Sequence, residues 1–228
     1  YLSNSQDCQP WRLDDGVQVR WVRSPQQLEA ARVIVLPGSK NTLRDLAWLR
    51  ETGLAAAISQ ARDRGVPVIG ICGGYQMLGD WLIDPSGLAG DAGRVPGLGF
   101  LPLVTEFAPS KSVRQVTAQW GDEIWQAYEI HMGQTSLSPR GVDDSTYGPL
   151  LLADGVGEGL RGDRTLGTYI HGLFESSAVR QSLMHLARVE GYQPATESWQ
   201  TVQRRLYDDM AQLIEDYLDL TPIRRYLE

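Results

Sequence analysis

The chain has few of the features that mark several protein classes. Its two cysteines, Cys8 and Cys72, are too few for a disulfide framework, so a reducing cytoplasm is the expected compartment. It has no run of about 18 apolar residues, and we therefore expect no membrane span. Two cysteines and three scattered histidines lack the spacing of a metal site, so we predict neither a metal ion nor a cofactor on this chain.

Acidic residues outnumber basic residues. The formal net charge is −7, which argues against a nucleic-acid partner because such proteins present basic patches. The segment PGSK (37–40) does not complete the G-x-x-x-x-G-K-[ST] pattern, and no phosphate-binding loop is predicted. A small or neutral substrate fits a net negative charge better than a nucleic acid does.

The start of the chain lacks the basic and apolar regions of a signal peptide. It begins with Tyr1 rather than Met, and we expect it to be part of a longer protein or a processed chain. Its length suits one sizeable domain. We therefore expect a single domain over residues 1–228, in which residues 1–10 form the end of a linker from a preceding domain.

Apolar runs and helical segments alternate in the first third of the chain. Two β-branched runs, 32–36 and 66–71, have the character of buried parallel strands, and the segment 54–64 between them is a strong helix former. A run at 164–171 has the same buried-strand pattern. This order predicts an α/β fold with a mostly parallel central sheet flanked by helices.

Other segments give more local expectations. The alternating run 17–22 predicts a strand, a helix is expected to begin at 74–82, and the stretch 94–170 predicts short strands separated by turns. Near the C-terminus a stripe of apolar side chains recurs at helical spacing, and we expect it to pack in the core. Its members are Trp199, Val202, Leu206, Met210, Leu213 and Tyr217.

Cys72 lies at a crowded turn between a predicted strand and a predicted helix. The sequence Gly70-Ile71-Cys72-Gly73-Gly74 has the form G-x-C-x-G, the cysteine version of a nucleophile elbow. A sharp strand-to-helix turn brings neighbouring backbone so close that only glycine avoids a clash. It also leaves the sulfur at a helix N-terminus, where thiolate is favoured over thiol. Cys72 is therefore predicted to be a nucleophile.

His171 is the candidate base. It ends the apolar run at 164–171, at the strand edge where sites form in open α/β sheets, and Cys72 is expected at the same edge. His185 falls within a predicted helix and is interpreted as a surface or packing residue. The role of His131, in YEIHMG, is ambiguous from the sequence.

A loop that follows a buried strand is the candidate oxyanion site. In LPGSKNT (36–42), the backbone N–H groups of Gly38 and Ser39 are expected to face the sulfur. With the N–H of Gly73, they would bind the oxyanion of a tetrahedral intermediate.

Taken together, these segments resemble the class I (triad-type) glutamine amidotransferases, specifically the C-terminal domains of the cobyric acid synthase family. The resemblance extends over most of the chain. Its segments are SN (3–4), LPGSKNT (36–42), GICGGYQMLG (70–79), GLGFLP (97–102), YEIHMG (128–133), DG (154–155) and GTYIHGLFE (167–175).

The resemblance implies a flavodoxin-like fold and a glutaminase. Cys72 would attack the side-chain amide of glutamine, and His171 would act as general base and then as acid. Gln76 and the pair Tyr128 and Glu129 would lie near the bound glutamine. The family further implies a separate N-terminal synthetase domain, which would use ATP and Mg²⁺ to activate carboxylates of a corrinoid, adenosylcobyrinic acid a,c-diamide, for amidation in cobalamin biosynthesis.

One position departs from the pattern of many triad amidotransferases, which have a glutamate two residues after the histidine. Here that position is Leu173. Glu175 and Glu129 are the candidates to orient His171, and a dyad with a backbone or water partner is the alternative.

Two other functions compete with the glutaminase. A cysteine hydrolase with the same elbow would turn over peptides or esters and be indifferent to glutamine. A non-catalytic docking module would keep the fold without activity, and loss of the cysteine or histidine would be its signature. Both residues are present, and PGSKNT and YEIHMG argue against the hydrolase.

Overall fold

The computed structural model describes residues 5–139 and 145–220. Its α-helices are α1 (Thr42–Glu51), α2 (Leu54–Asp63), α3 (Gly73–Met77), α4 (Ser177–Leu186) and α5 (Trp199–Tyr217). Its strands are β1 (Ile34–Leu36), β2 (Val68–Ile71), β3 (Trp81–Asp84), β4 (Gly93–Pro96), β5 (Leu103–Trp120), β6 (Glu123–Leu137), β7 (Leu151–Ala153), β8 (Val156–Glu158), β9 (Leu160–Gly162), β10 (Thr165–Thr168) and β11 (Ile170–His171). Short 3₁₀ helices cover Gln6–Leu13, Pro25–Leu28 and Leu173–Glu175.

The first sheet has the strand order β1-β2-β10-β9. Strands β1, β2 and β10 are parallel, and only β9 runs against its neighbour. All four residues of β2 are buried, because the strand lies in the middle of a sheet covered on both faces. The predicted α/β fold with a mostly parallel sheet and flanking helices is confirmed.

A second, largely antiparallel sheet contains the hairpin of β5 and β6. The expectation of short strands between residues 94 and 170 is wrong here, because β5 has 18 residues and β6 has 15. A register shift between Glu106 and Lys111 interrupts the pairing, and such a bulge allows one long strand to bend. Strand β11 pairs with β6, so His171, the last residue of β11, belongs to this second sheet.

Two further predictions of secondary structure are wrong. Residues 17–22 form no strand. Val19 and Trp21 are 36 % and 46 % exposed, and none of the described strands pairs with this segment, so its alternating pattern did not produce a strand. The helix expected over residues 74–82 ends at Met77, and Trp81–Asp84 is strand β3. The chain passes from helix α3 to strand β3 through Gly79. A Cβ at this position would lie 2.8 Å from the carbonyl oxygen of Leu103, so the close approach of the two segments requires glycine.

The C-terminal apolar stripe is not part of the core. In α5, Leu206, Met210, Leu213 and Tyr217 are between 48 % and 81 % exposed, and the helix has no buried residue. The periodicity correctly indicates an amphipathic helix, but its apolar face is not covered by the described residues. The expectation of core packing is therefore wrong.

Among the described residues, no helix combines the length and the apolar character needed to cross a bilayer.

Candidate active site

The backbone at Cys72 has the geometry of a nucleophile elbow. Its φ is 53° and its ψ is −112°, an uncommon conformation for a residue with a side chain. The glycines around it are needed for space. A Cβ on Gly74 would lie 1.9 Å from the carbonyl oxygen of Leu36, and one on Gly70 would lie 2.6 Å from the backbone of Gly74 and Tyr75. The turn therefore has no room for side chains at these two positions.

Two groups contact the sulfur of Cys72. The thiol lies 3.3 Å from the carbonyl oxygen of Ile130 in β6, to which it donates a hydrogen bond. The side chain of His171 also lies beside Cys72, and the sulfur interacts with the imidazole ring. The tertiary fold thus brings together the two residues that the sequence predicted as nucleophile and base, although they are 99 positions apart in the chain.

His171 ends β11 and is buried, with a carboxylate at one of its ring nitrogens. Its Nδ1 lies 2.8 Å from Oδ2 of Asp7. The ring of Tyr128 stacks on the imidazole at a centroid distance of 4.9 Å. Burial by itself lowers the pKa of His171, but the hydrogen bonds to Asp7 and Cys72 and the charges of these groups raise it to about 9.

Asp7 is the site residue that sequence reasoning missed. It lies in the 3₁₀ helix Gln6–Leu13, within the first ten residues that were expected to be linker. That helix is part of the core instead, because Cys8 and Trp11 are buried with the residues around β11. The resemblance includes positions 3–4, which lie outside the described residues, and it did not indicate a contact between this segment and His171.

The other two candidate carboxylates have other neighbours. Glu175 has the backbone N–H groups of Trp199 and Gln200, at the start of α5, as its neighbours, and its Oε2 atom is buried without a hydrogen-bond partner among the described residues. Glu129 accepts from Ser112 at 2.8 Å and from Arg114 at 2.7 Å. The carboxylate at Nδ1 of His171 is therefore that of Asp7, and the expectation that Glu175 or Glu129 would fill this place is corrected.

The predicted oxyanion loop lies against the elbow. Gly38 is buried, and the backbone nitrogen of Ser39 is 2.8 Å from the position that a Cβ on Gly73 would occupy. The hydroxyl of Ser39 donates to Asp45 at 2.5 Å and accepts from the N–H of Asn41 at 3.0 Å. These bonds fix the loop beside Cys72. That its N–H groups and that of Gly73 bind an oxyanion remains a prediction.

The residues predicted to contact glutamine surround the same centre. Gln76 is buried, and its amide accepts from Thr42 at 3.0 Å and donates to the carbonyl of Met132 at 2.8 Å and to Tyr169 at 3.2 Å. Gln76 thus ties α3 to α1 and β6. Tyr128 is half-exposed over His171, and Glu129 follows it in β6. Contact of these three residues with substrate remains a prediction.

The raised pKa of His171 predicts a pH dependence of stability. The folded chain holds the imidazolium more tightly than the unfolded chain, in which the pKa is about 6.5. This contribution is complete below about pH 6.5 and is lost as the pH rises through about 9. The contribution of His171 to the free energy of unfolding is at most on the order of 3 kcal/mol. Urea denaturation at a series of pH values should show the decline.

The control variants for this titration are His171→Gln and His185→Gln. His171→Gln should remove most of the decline, whereas the exposed His185 can be replaced without changing it. Parallel curves for wild type and His171→Gln would contradict the assignment.

Within residues 5–139 and 145–220, no three histidine, cysteine, aspartate or glutamate side chains are grouped so that they could hold a metal ion. The side-chain groups that meet at the described site are the Cys72 thiol, the His171 imidazole and the Asp7 carboxylate.

Comparison with known proteins identifies the family. Residues 1–179 match the CobB/CobQ-like glutamine amidotransferase domain. The chain is 41 % identical over 243 residues to cobyric acid synthase of Citrobacter koseri and 40 % identical over 245 residues to that of Klebsiella pneumoniae. Each match covers 98 % of this chain and 46 % of the relative. The chain thus spans about half the length of these curated relatives.

The fold is also found in a solved structure. A crystal structure described as glutamine amidotransferase superposes with a TM-score of 0.58 at 18 % identity, covering 76 % of this chain and 88 % of the other. The match to the domain family over most of the chain carries the identification: the chain belongs to the CobB/CobQ-like glutamine amidotransferase family.

Proposed function

We propose that this chain is the glutaminase half of an ATP-dependent amidating enzyme of cobalamin biosynthesis. It would hydrolyse glutamine to glutamate and pass the ammonia to side-chain carboxylates of adenosylcobyrinic acid a,c-diamide, giving cobyric acid. The observation that carries the glutaminase is the contact of Cys72 with His171 at a glycine-enclosed elbow. The corrinoid rests on the likeness to proteins described as cobyric acid synthase.

The reaction follows from the groups at the site. The Cys72 thiolate attacks the amide carbon of the glutamine side chain, and a C–S bond forms while the carbonyl oxygen becomes an oxyanion. The N–H groups of Ser39 and Gly73, with that of Gly38, would stabilise this charge. The His171 imidazolium donates its proton to the leaving nitrogen, which departs as ammonia. Water, deprotonated by His171, then cleaves the thioester to glutamate and restores the thiol.

The other components belong outside this chain. We propose that ATP and Mg²⁺ bind an N-terminal synthetase domain of the same longer protein, which corresponds to the half of the relatives outside the match. That domain would also bind the corrinoid. A thiol nucleophile must remain reduced, which supports a cytoplasmic location.

The test is to follow the amide nitrogen of glutamine. We expect the chain to release glutamate from glutamine. With the synthetase half, Mg-ATP and the a,c-diamide present, ¹⁵N from amide-labelled glutamine should appear in the corrinoid product. Turnover of peptides or esters without preference for glutamine would favour a cysteine hydrolase instead. A folded chain without turnover, alone or with the synthetase half, would favour a docking module.

A further inference from the structure

We infer that Asp7 is the positioning residue of this site and completes a Cys72–His171–Asp7 triad from the N-terminal segment. The inference rests on the proposed glutaminase and names the residue that orients its base.

Both oxygens of the Asp7 carboxylate are used at the base. Oδ2 lies 2.8 Å from Nδ1 of His171, and Oδ1 accepts a hydrogen bond from the backbone N–H of Gly172 at 3.0 Å. Gly172 has a φ of 80°, in the region that favours glycine. Because an ionised carboxylate only accepts hydrogen bonds, Nδ1 must carry the proton. Nε2 is then the nitrogen left for Cys72, which is the arrangement that a base for a thiol needs.

The segment that presents Asp7 is fixed on its other side. Asp14, at the end of the 3₁₀ helix, forms an ion pair with Arg180 of α4 at 2.8 Å, and both side chains are almost fully buried. The second oxygen of Asp14 accepts from the N–H of Ala195 at 2.8 Å. Trp11 packs on Phe174 at a centroid distance of 5.3 Å. These contacts hold the backbone of Asp7 in place relative to the strand end that carries His171.

The departure from the histidine-x-glutamate pattern has a structural reason. Leu173 occupies the position of that glutamate, and it is 1 % exposed within an apolar cluster. A carboxylate there would be buried among apolar side chains, which is costly for a charge. The carboxylate that orients His171 comes instead from Asp7 in the 3₁₀ helix Gln6–Leu13, 164 positions away in the sequence.

Three described elements present titratable groups to His171. They are the 3₁₀ helix with Asp7, the elbow with Cys72 and β6 with Tyr128, whose ring stacks on the imidazole. Of these groups, Asp7 is the one that contacts Nδ1, and its other carboxylate oxygen accepts a hydrogen bond from the backbone N–H of Gly172. Its replacement by asparagine keeps the size but puts an amide N–H₂ or a neutral oxygen at Nδ1.

The experiment compares Asp7→Asn with Asp7→Glu and with Glu175→Gln as the matched carboxylate control. Asp7→Asn should lower kcat for glutamine hydrolysis by about 10²- to 10⁴-fold with little change in KM, because the imidazole loses its orientation and charge stabilisation. Asp7→Glu should recover part of the rate. Glu175→Gln should stay within about tenfold of wild type, since Glu175 lies beside the start of α5 and not at Nδ1 of His171.

A pH readout separates positioning from a purely structural role. The alkaline limb of kcat/KM should move to lower pH by more than one unit in Asp7→Asn, because the imidazolium is no longer stabilised. The same shift should appear in an NMR titration of the His171 ring, where the pKa should fall from about 9 toward 6.5. His131 and His185 serve as internal references.

The outcomes for the two proposals are distinct. If wild type hydrolyses glutamine and Asp7→Asn keeps its rate and pH profile, the triad assignment is wrong and the glutaminase stands. If wild type does not hydrolyse glutamine, the glutaminase is wrong, and the NMR titration still decides whether Asp7 controls His171. An unchanged His171 titration in Asp7→Asn would overturn the inference in either case.

Discussion

Replacing Cys72 by alanine is expected to lower glutamine hydrolysis by about 10³-fold or more, because the sulfur that forms the thioester is removed. The substitution should preserve the fold. The side chain is small, and alanine can adopt the backbone conformation of Cys72 at a similar cost. Glutamate release and thermal unfolding, measured on the same preparation, test both statements.

Cys8 provides the matched control for the nucleophile. It is also buried, and burial together with the charge of Asp7 raises its pKa to about 12. A thiol with such a pKa is almost entirely protonated at neutral pH and should be unreactive. A diazoketone analogue of glutamine should therefore label Cys72 and leave Cys8 unmodified, as read by mass spectrometry. Full activity in Cys72→Ala, or labelling at Cys8 alone, would contradict the assignment of the nucleophile.

Gly74→Ala is expected to have the largest effect on stability. Its Cβ would lie 1.9 Å from the carbonyl oxygen and 2.5 Å from the carbonyl carbon of Leu36. Both atoms belong to the backbone of β1, so no flexible side chain can move away. Separating α3 from β1 should lower the free energy of unfolding by about 3 kcal/mol or more. It should also displace Cys72, so glutaminase activity is lost with it.

Gly191→Asn is the control for this clash. Gly191 has a φ of 71°, and no atom lies within 4 Å of the position that a Cβ would occupy, so space is not limiting there. Asparagine tolerates this conformation better than most residues. Chemical denaturation should place Gly191→Asn within about 1 kcal/mol of wild type. A similar loss in both variants would mean that the Gly74 contact is not the cause.

The parallel sheet and the elbow could be predicted because their signals are local. The buried runs that form β1, β2 and β10 are short, apolar and β-branched, and such runs report burial on both faces of a sheet. The glycines around Cys72 indicate, within five residues of sequence, a turn in which side chains would clash with neighbouring backbone. Another local feature is the cap of α1, where the side chain of Asn41 accepts a hydrogen bond from the N–H of Arg44.

Other features depended on neighbours that are distant in sequence. Alternation at 17–22 did not produce a strand, and the apolar stripe of α5 did not enter the core. Periodicity describes which face of an element is apolar, but it does not say whether another element covers that face. The length of β5 and β6 was missed for a similar reason, since each strand is extended by pairing with the other.

The sequence by itself determined the fold class, the elbow and the two candidate residues Cys72 and His171, because each of these follows from chain geometry over a few positions. Only the tertiary structure decided which carboxylate reaches His171. Asp7 lies 164 positions away, in a segment whose composition resembles a linker, and its role depends on an anchor formed by Asp14 and Arg180. A contact of this kind leaves no local pattern, since it arises from how two remote segments pack.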